Sequence, residues 1–577
     1  MDIIKNLLLR DFRYETAEER EKSWNYYEFI PFSCAEMFNC KYGANIPNTV
    51  IYDNLLFRKG ILLNTSISSA NLIKSQGDSL LLKKYDRMFR LKKALDLNTP
   101  MITDNGKSMT REQARKIADR FDVEIMERAA MLGDYTSALT CSWKDVQSSL
   151  KTNEAAIEFT KFPISETKEK YCALVLKSTG TPDFIELFES DSLNVEGLYK
   201  SNKIYNLLWA PIISKIGNVN QIFFSADGNL HNIAIESVPW GNNEINDKPK
   251  ITRLSSTRIL SSTHKPLLVN DAIIYGGVRY DTKEDLLVAD SRKYRSQERA
   301  FNYEPFAIAD SLGLRAGASY LPATKEEAEE IDKTLEKKKI TTKLLIDTLA
   351  TEGAFKDLSG KKTNLLHIAT HGFYWTEKEA KYKDNLNFLM LNNNQPRYVE
   401  DKALTRSGLL LAGANNALMG KKLPEGVDDG ILTAKEISQL DLRGLDLVVL
   451  SACETGLGEI KGDGVFGLQR GFKKAGANSL LMSLWKVDDE ATRLLMTQFY
   501  KNLTSGMSKF ESLSQAQKYV RDYEMEVEVK SDTRPAVSAH AKEQAQQNAN
   551  KETTFKKVKK YEDPKYWAAF ILLDAID

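Results

Sequence analysis

Two residues stand where chemistry collects in α/β proteins. Cys453 follows the apolar run "LDLVVLSA" and opens the loop "ETGLGEIKGDGVFG". His371 follows the apolar run "NLLHIAT" and precedes Gly372. A thiol with an ordinary pKa of about 8.5 is mostly protonated at neutral pH, and an adjacent imidazole converts it to a thiolate nucleophile. If the two runs are parallel strands of one sheet, their carboxyl ends share a rim and the side chains can face each other. The N–H groups of Gly372 and Cys453 would then supply an oxyanion hole. A lone cysteine at a strand end is otherwise simply a buried residue. The "THG" at the equivalent end of a second run favours chemistry.

Acidic side chains surround the same rim. Glu454 and Asp463 lie in the glycine loop, and Asp488 and Asp489 follow the run "NSLLMSLW". Trp485 closes that run and could wall a substrate pocket or simply pack in the core. For Asp488 and Asp489, capping of the helix opened by "DDEA" and substrate recognition both fit, and one could cap while the other binds. Two rival chemistries use the same residues. Gly462, Gly464 and Gly467 spell G-x-G-x-x-G, and Asp488 follows about 20 residues later, as in a dinucleotide site. That fingerprint needs its first glycine in the turn right after the strand, whereas here a loop intervenes. His367 and His371 are four apart, like zinc ligands on a helix. Their run is β-type, no glutamate follows His367 and no third ligand is signalled, so neither metal nor cofactor is expected. His367 reads as a satisfied core residue.

These side chains need a scaffold, and the rest of the chain describes one. Its 577 residues are too many for one core. Lys and Arg (80) nearly cancel Asp and Glu (79), so no overall basic field argues for nucleic acid. The five cysteines (Cys34, Cys40, Cys141, Cys172 and Cys453) are scattered and lack C-x-x-C spacing, which suits a reducing compartment. The charged amino terminus resembles no signal peptide, and no apolar run reaches the roughly 18 residues of a membrane span. A cytoplasmic location is expected.

Residues 1–150 read as helices, with Thr110 as a cap before "REQARKIADRFDVEIMERAAML". Residues 151–265 read as a small α/β unit of short β-type runs around one helix. From residue 266 to 577, apolar strands alternate with amphipathic helices, which implies a mostly parallel sheet covered on both faces. A polar stretch at about 530–560 interrupts this and reads as a mobile loop.

The stretches "LLHIATHGFYW", "DGILTAKEISQLDLRGLDLVVLSACETGLGEIKGDGVFGLQRGFKKAGANSLLMSLWKVDDEAT" and "YWAAFILLD" resemble the CHAT-domain family. Its members are caspase-like cysteine peptidases related to separase and are often attached to tetratricopeptide arrays. The resemblance runs from about residue 153 to the carboxyl terminus. It implies a caspase-like fold and a histidine–cysteine dyad carried onto His371 and Cys453. It also implies a degenerate protease-like half over residues 151–265. No 34-residue repeat is visible before it, so residues 1–150 are expected to hold only the end of an array, where an activating partner could dock. Relatives in bacterial signalling and immunity suggest a peptidase acting on a partner protein. The alternative is a catalytically silent scaffold. Caspases that cut after aspartate need an arginine-built pocket, but here the rim carries Glu454, Asp463, Asp488 and Asp489, with Lys461 and Lys486 as nearby cations. Cleavage after Arg or Lys is therefore expected, with Asp488 or Asp489 holding the substrate cation.

Overall fold

The computed structural model describes residues 2–27, 45–65, 79–96, 101–104, 106–132, 140–165, 168–193, 197–241, 248–262, 267–294, 317–375, 402–421, 423–424, 426–452, 455–461, 464–529 and 554–576. Helices dominate up to residue 149. Ser79–Asp96 packs against Arg111–Leu132, and a hairpin of β1 (Met101–Asp104) and β2 (Lys107–Thr110) joins them, an exception to the all-helical expectation. Thr110 caps the second helix reciprocally. Its N–H donates to Gln113 Oε1 at 2.9 Å, and the Gln113 N–H donates to Thr110 Oγ1 at 3.3 Å.

Eleven strands form one sheet. The first five are β3 (Glu154–Pro163), β4 (Glu169–Lys177), β5 (Asp183–Glu189), β6 (Gln221–Ser225) and β7 (Lys250–Leu254). Next come β8 (Asp271–Gly276), β9 (Thr341–Ile346) and β10 (Leu365–Ala369). Three short strands then form a separate antiparallel sheet: β11 (Gly372–Tyr374), β12 (Ser407–Leu410) and β13 (Ile431–Thr433). β14 (Leu447–Ser451) returns to the main sheet, and β15 (Gly458–Lys461) pairs with β16 (Gly464–Gly467) as a hairpin. β17 (Ser479–Ser483) is followed by a ribbon of β18 (Glu524–Val529) and β19 (Thr554–Lys559), and β20 (Phe570–Leu573) ends the sheet. Strand order across the main sheet is β5-β4-β3-β6-β7-β20-β17-β14-β10-β8-β9.

Most neighbours are parallel. β3, β6, β7 and β20 run one way. β17, β14, β10, β8 and β9 run the other, and the blocks meet where β20 lies antiparallel to β17. Strand-helix alternation gives this result because crossover helices cover both faces, so the strands between them are mostly apolar. Within the second block the two-residue period splits the core. Leu366, Ile368, Val448, Leu450, Leu480 and Met482 face one layer. Leu365, Leu447, Val449 and Leu481 face the other, beneath Ala491, Leu495 and Phe499 of the helix Asp489–Leu503.

Two segments differ in detail from their sequence reading. The run "NLLHIATHGFY" is not one strand. It leaves the main sheet after Ala369 and re-enters the small sheet at Gly372, so His371 occupies the break. The polar stretch is ordered at its flank, where β19 pairs with β18, and residues 530–553 lie outside the described residues.

Candidate active site

β10 and β14 are adjacent and parallel, and their last registered pair is Ala369 with Ser451. His371 and Cys453 each follow by two residues along the chain. Cys453, Glu454, Gly462 and Asp463 lie outside the described residues, as do Cys34, Cys40, His264 and His540. The site is therefore built from His371 and from what flanks the cysteine.

His371 is held on three sides. Its Nε2 lies 2.9 Å from the Ser319 carbonyl oxygen. A carbonyl can only accept, so the neutral imidazole carries its proton on Nε2 and presents the Nδ1 lone pair as the base. The backbone N–H of His371 donates to the Tyr280 hydroxyl at 3.3 Å, and its carbonyl accepts from Leu410 N–H at 2.9 Å. The Tyr280 ring lies 5.1 Å from the imidazole, and its hydroxyl pairs with Thr370 Oγ1 at 2.9 Å. Burial holds the His371 pKa below its ordinary value. The Ser319 carbonyl and the Asp489 charge push against that shift, while Lys486 adds to it. The imidazole is consequently neutral, and able to accept a proton, at physiological pH.

Ser319 is positioned in turn by Asn415. The Asn415 side chain accepts from Ala318 N–H at 2.6 Å and donates to Ala318 O at 3.1 Å, clamping both backbone polar groups of the residue before Ser319. Its backbone N–H donates to Tyr280 O at 2.9 Å, so one residue ties together both supports of the histidine.

The described flanks of Cys453 are anchored to the end of β17. Ala452 O accepts from Ser483 Oγ at 2.5 Å, Ser483 N–H donates to Thr455 Oγ1 at 3.1 Å, and Gly456 N–H donates to Ser483 O at 2.8 Å. The glycines beyond serve close packing. A Cβ on Gly458 would lie 2.6 Å from Phe466 O, and one on Gly467 would lie 2.6 Å from Leu457 O. Gly464 and Gly467 bound β16, which pairs with β15 as a tight β-hairpin, and Gly467 also caps the helix Leu468–Ala475 that follows.

The acidic residues separate by role. Asp488 caps the helix Asp489–Leu503, its Oδ1 accepting from Ala491 N–H at 2.9 Å. Asp489 is exposed and acts electrostatically on His371. Its own pKa is raised by burial, then by Asp488, with His371 pulling it back down. Trp485 is anchored by its Nε1–H to Lys565 O at 3.0 Å and by Tyr199 at 5.1 Å between ring centres, and it packs on both core layers. Gly372 is half-buried at the start of β11, next to His371. His367 is fully buried, with Nδ1 3.2 Å from Tyr500 Oη and Nε2 3.1 Å from Glu327 Oε1. Both nitrogens thus face protein partners. No group of residues suited to a metal ion occurs among the described residues. No helix among them is long and apolar enough to cross a membrane.

Sequence reasoning missed Tyr280, Ser319, Asn415, Thr455 and Ser483. Ser319 acts through a backbone oxygen, which carries no side-chain signal. Tyr280 and Ser483, by contrast, stand at the carboxyl ends of the runs "AIIYGGVRY" and "NSLLMS", and strand ends could have flagged them.

The scaffold and rim define an α/β protein with a histidine at the carboxyl edge of a mostly parallel sheet. The model of the CHAT domain matches residues 199–575, and the chain belongs to that family. Tetratricopeptide repeat protein 28 of Mus musculus is 38% identical over 92 residues, and its Homo sapiens counterpart is 35% identical over 91 residues. Each match takes in 16% of this chain and only 4% of the relative's length. Among solved structures, the Arg-specific cysteine proteinase gingipain R aligns at a TM-score of 0.31 with 9% identity, covering 57% of this chain and 65% of that one. The Saccharomyces cerevisiae separase–securin complex aligns at 0.34 with 9% identity, covering 76% of this chain and 32% of that one. Superpositions this loose carry no weight, and the architecture rests on the strand order itself.

Proposed function

We propose that this chain is a cysteine endopeptidase with Cys453 as nucleophile and His371 as general base and acid. The observation that carries the reading is the register of β10 against β14, from which His371 and Cys453 both continue by two residues. Adjacent strands lie about 4.8 Å apart, within the combined reach of an imidazole and a thiol. His371 Nδ1 takes the thiol proton, and the sulfur attacks the scissile carbonyl carbon. The developing oxyanion is met by the N–H groups of Gly372 and Cys453. The C–N bond breaks as His371 returns the proton to the departing amine. Water, deprotonated by the same imidazole, then cleaves the thioester and restores the thiol. Throughout the cycle Nε2–H keeps donating to Ser319 O, which steadies the imidazolium when it forms.

No cofactor enters this scheme. Asp488 is committed to its helix, so Asp489 is the carboxylate we assign to a substrate Arg or Lys. Such a pair discriminates by charge, since a carboxylate in the same place would repel an acidic side chain. The substrate is a partner protein, and the helices between residues 2 and 132 offer an activator a surface.

The test is a cysteine-directed peptidyl probe ending in arginine, with labelled positions mapped by mass spectrometry. Labelling concentrated on Cys453 and lost in His371→Ala supports the peptidase. Labelling spread evenly over Cys453, Cys141 and the other cysteines favours the silent scaffold.

A further inference from the structure

Across the catalytic rim the strands run in the order β17, β14, β10, β8. Asp489 follows β17, Cys453 follows β14 and His371 follows β10, and Arg279 comes just beyond β8. Arg279 is next to both supports of the imidazole. It precedes Tyr280, whose ring lies 5.1 Å from His371. Its guanidinium carbon lies 4.1 Å from the ring centre of Tyr320, and Tyr320 follows Ser319, the partner of His371 Nε2.

The residue is fixed at its base and open at its tip. The Arg279 N–H donates to Asp347 O at 3.2 Å, and its carbonyl accepts from Gly413 N–H at 3.1 Å, Thr282 N–H at 3.2 Å and Thr282 Oγ1 at 2.6 Å. Asp347 makes its turn with a left-handed φ of 56°, which is uncommon outside glycine. Its carboxylate is divided between two cations, with Oδ2 2.6 Å from Lys325 Nζ and Oδ1 3.4 Å from Arg279 Nε. Among the described residues, Nη1 and Nη2 of Arg279 donate no hydrogen bond, and the side chain is 45% exposed. A guanidinium held by its Nε and by one face presents the remaining fork to a carboxylate.

We propose that Arg279 reads an acidic side chain of the substrate on the amine side of the scissile bond, an inference that rests on the peptidase reading. His371 must protonate the departing amine, so the chain beyond the bond passes over β10 toward β8. From Cys453 to β8 is two strand spacings, about 10 Å, which an extended chain covers in about three residues. The preferred substrate then carries Arg or Lys before the bond, opposite Asp489, and Asp or Glu soon after it, opposite Arg279. This polarity also sets the direction in which a peptide lies, because the reversed peptide would place like charges together.

The test is a set of peptides with arginine before the bond, glutamate placed in turn at each of the positions after it that Arg279 can reach, and glutamine elsewhere. Wild type is expected to prefer one glutamate peptide over the all-glutamine peptide about tenfold in kcat/KM, the scale of one charge-assisted contact. In Arg279→Gln that ratio should fall to about one, and in Arg279→Glu the preference should invert, with lysine favoured over glutamate at the same position. Inversion is a readout that a merely structural role would not move. Equal cleavage of glutamate and glutamine peptides by wild type, or a glutamate preference surviving in both variants, would overturn the role of Arg279 and leave the peptidase standing. A wild type that cleaves none of the peptides and ignores the peptidyl probe would overturn the peptidase reading and this inference with it.

Discussion

Replacing Asn415 with alanine removes the clamp on the Ala318 peptide without touching His371. Two hydrogen bonds disappear, at 2.6 and 3.1 Å, from a side chain that is 7% exposed. Each leaves a buried backbone partner unmet, at about 1–3 kcal/mol, so the local segment should lose about 2–6 kcal/mol. The Ser319 carbonyl then no longer has a fixed position from which to hold Nε2–H. Misplacing a catalytic group by about 1 Å costs on the order of 100-fold in rate. We expect kcat on an arginyl substrate to fall by about that factor with KM little changed, because Asn415 does not reach the substrate rim. Labelling of Cys453 should slow in parallel, and the His371 pKa should fall further because a hydrogen bond that raises it is weakened. Asn415→Asp, which keeps the acceptor but sets a carboxylate against the Ala318 carbonyl, should be impaired as well. A folded Asn415→Ala protein with wild-type kcat and an unmoved acid limb would refute the reasoning.

Three further outcomes follow from the rim and the core. Asp488→Ala should cost about 1 kcal/mol of stability through the lost cap while leaving substrate preference intact, as measured by chemical unfolding beside a substrate panel. Asp489→Asn should erase the preference for Arg over neutral residues and move the acid limb of kcat/KM to lower pH, since Asp489 raises the His371 pKa; both are read from pH-rate profiles. Asp429, in contact range of Glu436 and Glu352 around Lys356, has its pKa pushed from 3.8 up to about 7, chiefly by burial and then by Glu436. A raised carboxyl binds its proton more tightly when folded, so this contribution to stability is complete below pH 3.8 and is lost as pH rises through 7. Relative to wild type, Asp429→Asn should therefore gain stability between pH 5 and pH 8 in denaturant titrations.

Much of the second block could be read directly. Inside runs such as "LDLVVLS" and "NSLLMS", the stretches "LVVL" and "LLM" are apolar at every position, as a strand buried on both faces requires. The same runs located the rim positions, because strand ends are marked where apolar residues give way to Thr370, His371 and Gly372. Strand order was not legible. Nothing local to "YWAAFILLD" states that it enters antiparallel to β17 and parallel to β7, since Leu573 pairs with Leu480, 93 residues before it, and with Arg253, 320 residues before it. The choice between Asp488 and Asp489 was also hidden. It turns on the extended backbone of one residue, Asp488 at φ −77° and ψ 131°, which lets its side chain cap. The β18–β19 ribbon had a signal that went unread. "EMEVEV" and "TFKKVK" alternate, and they align Glu524 with Lys559 and Glu526 with Lys557 as complementary charges. The Asn415 clamp had none, because it joins a side chain to a backbone 97 residues away.

The central claim is that His371 and Cys453 act as one unit, and the rate of Cys453 alkylation as a function of pH tests it most directly. In wild type, the account predicts a reactive thiolate persisting well below the ordinary thiol pKa of about 8.5. In His371→Ala, the profile should revert to that of an ordinary cysteine while the remaining cysteines react unchanged. Identical Cys453 profiles with and without the imidazole would contradict the account.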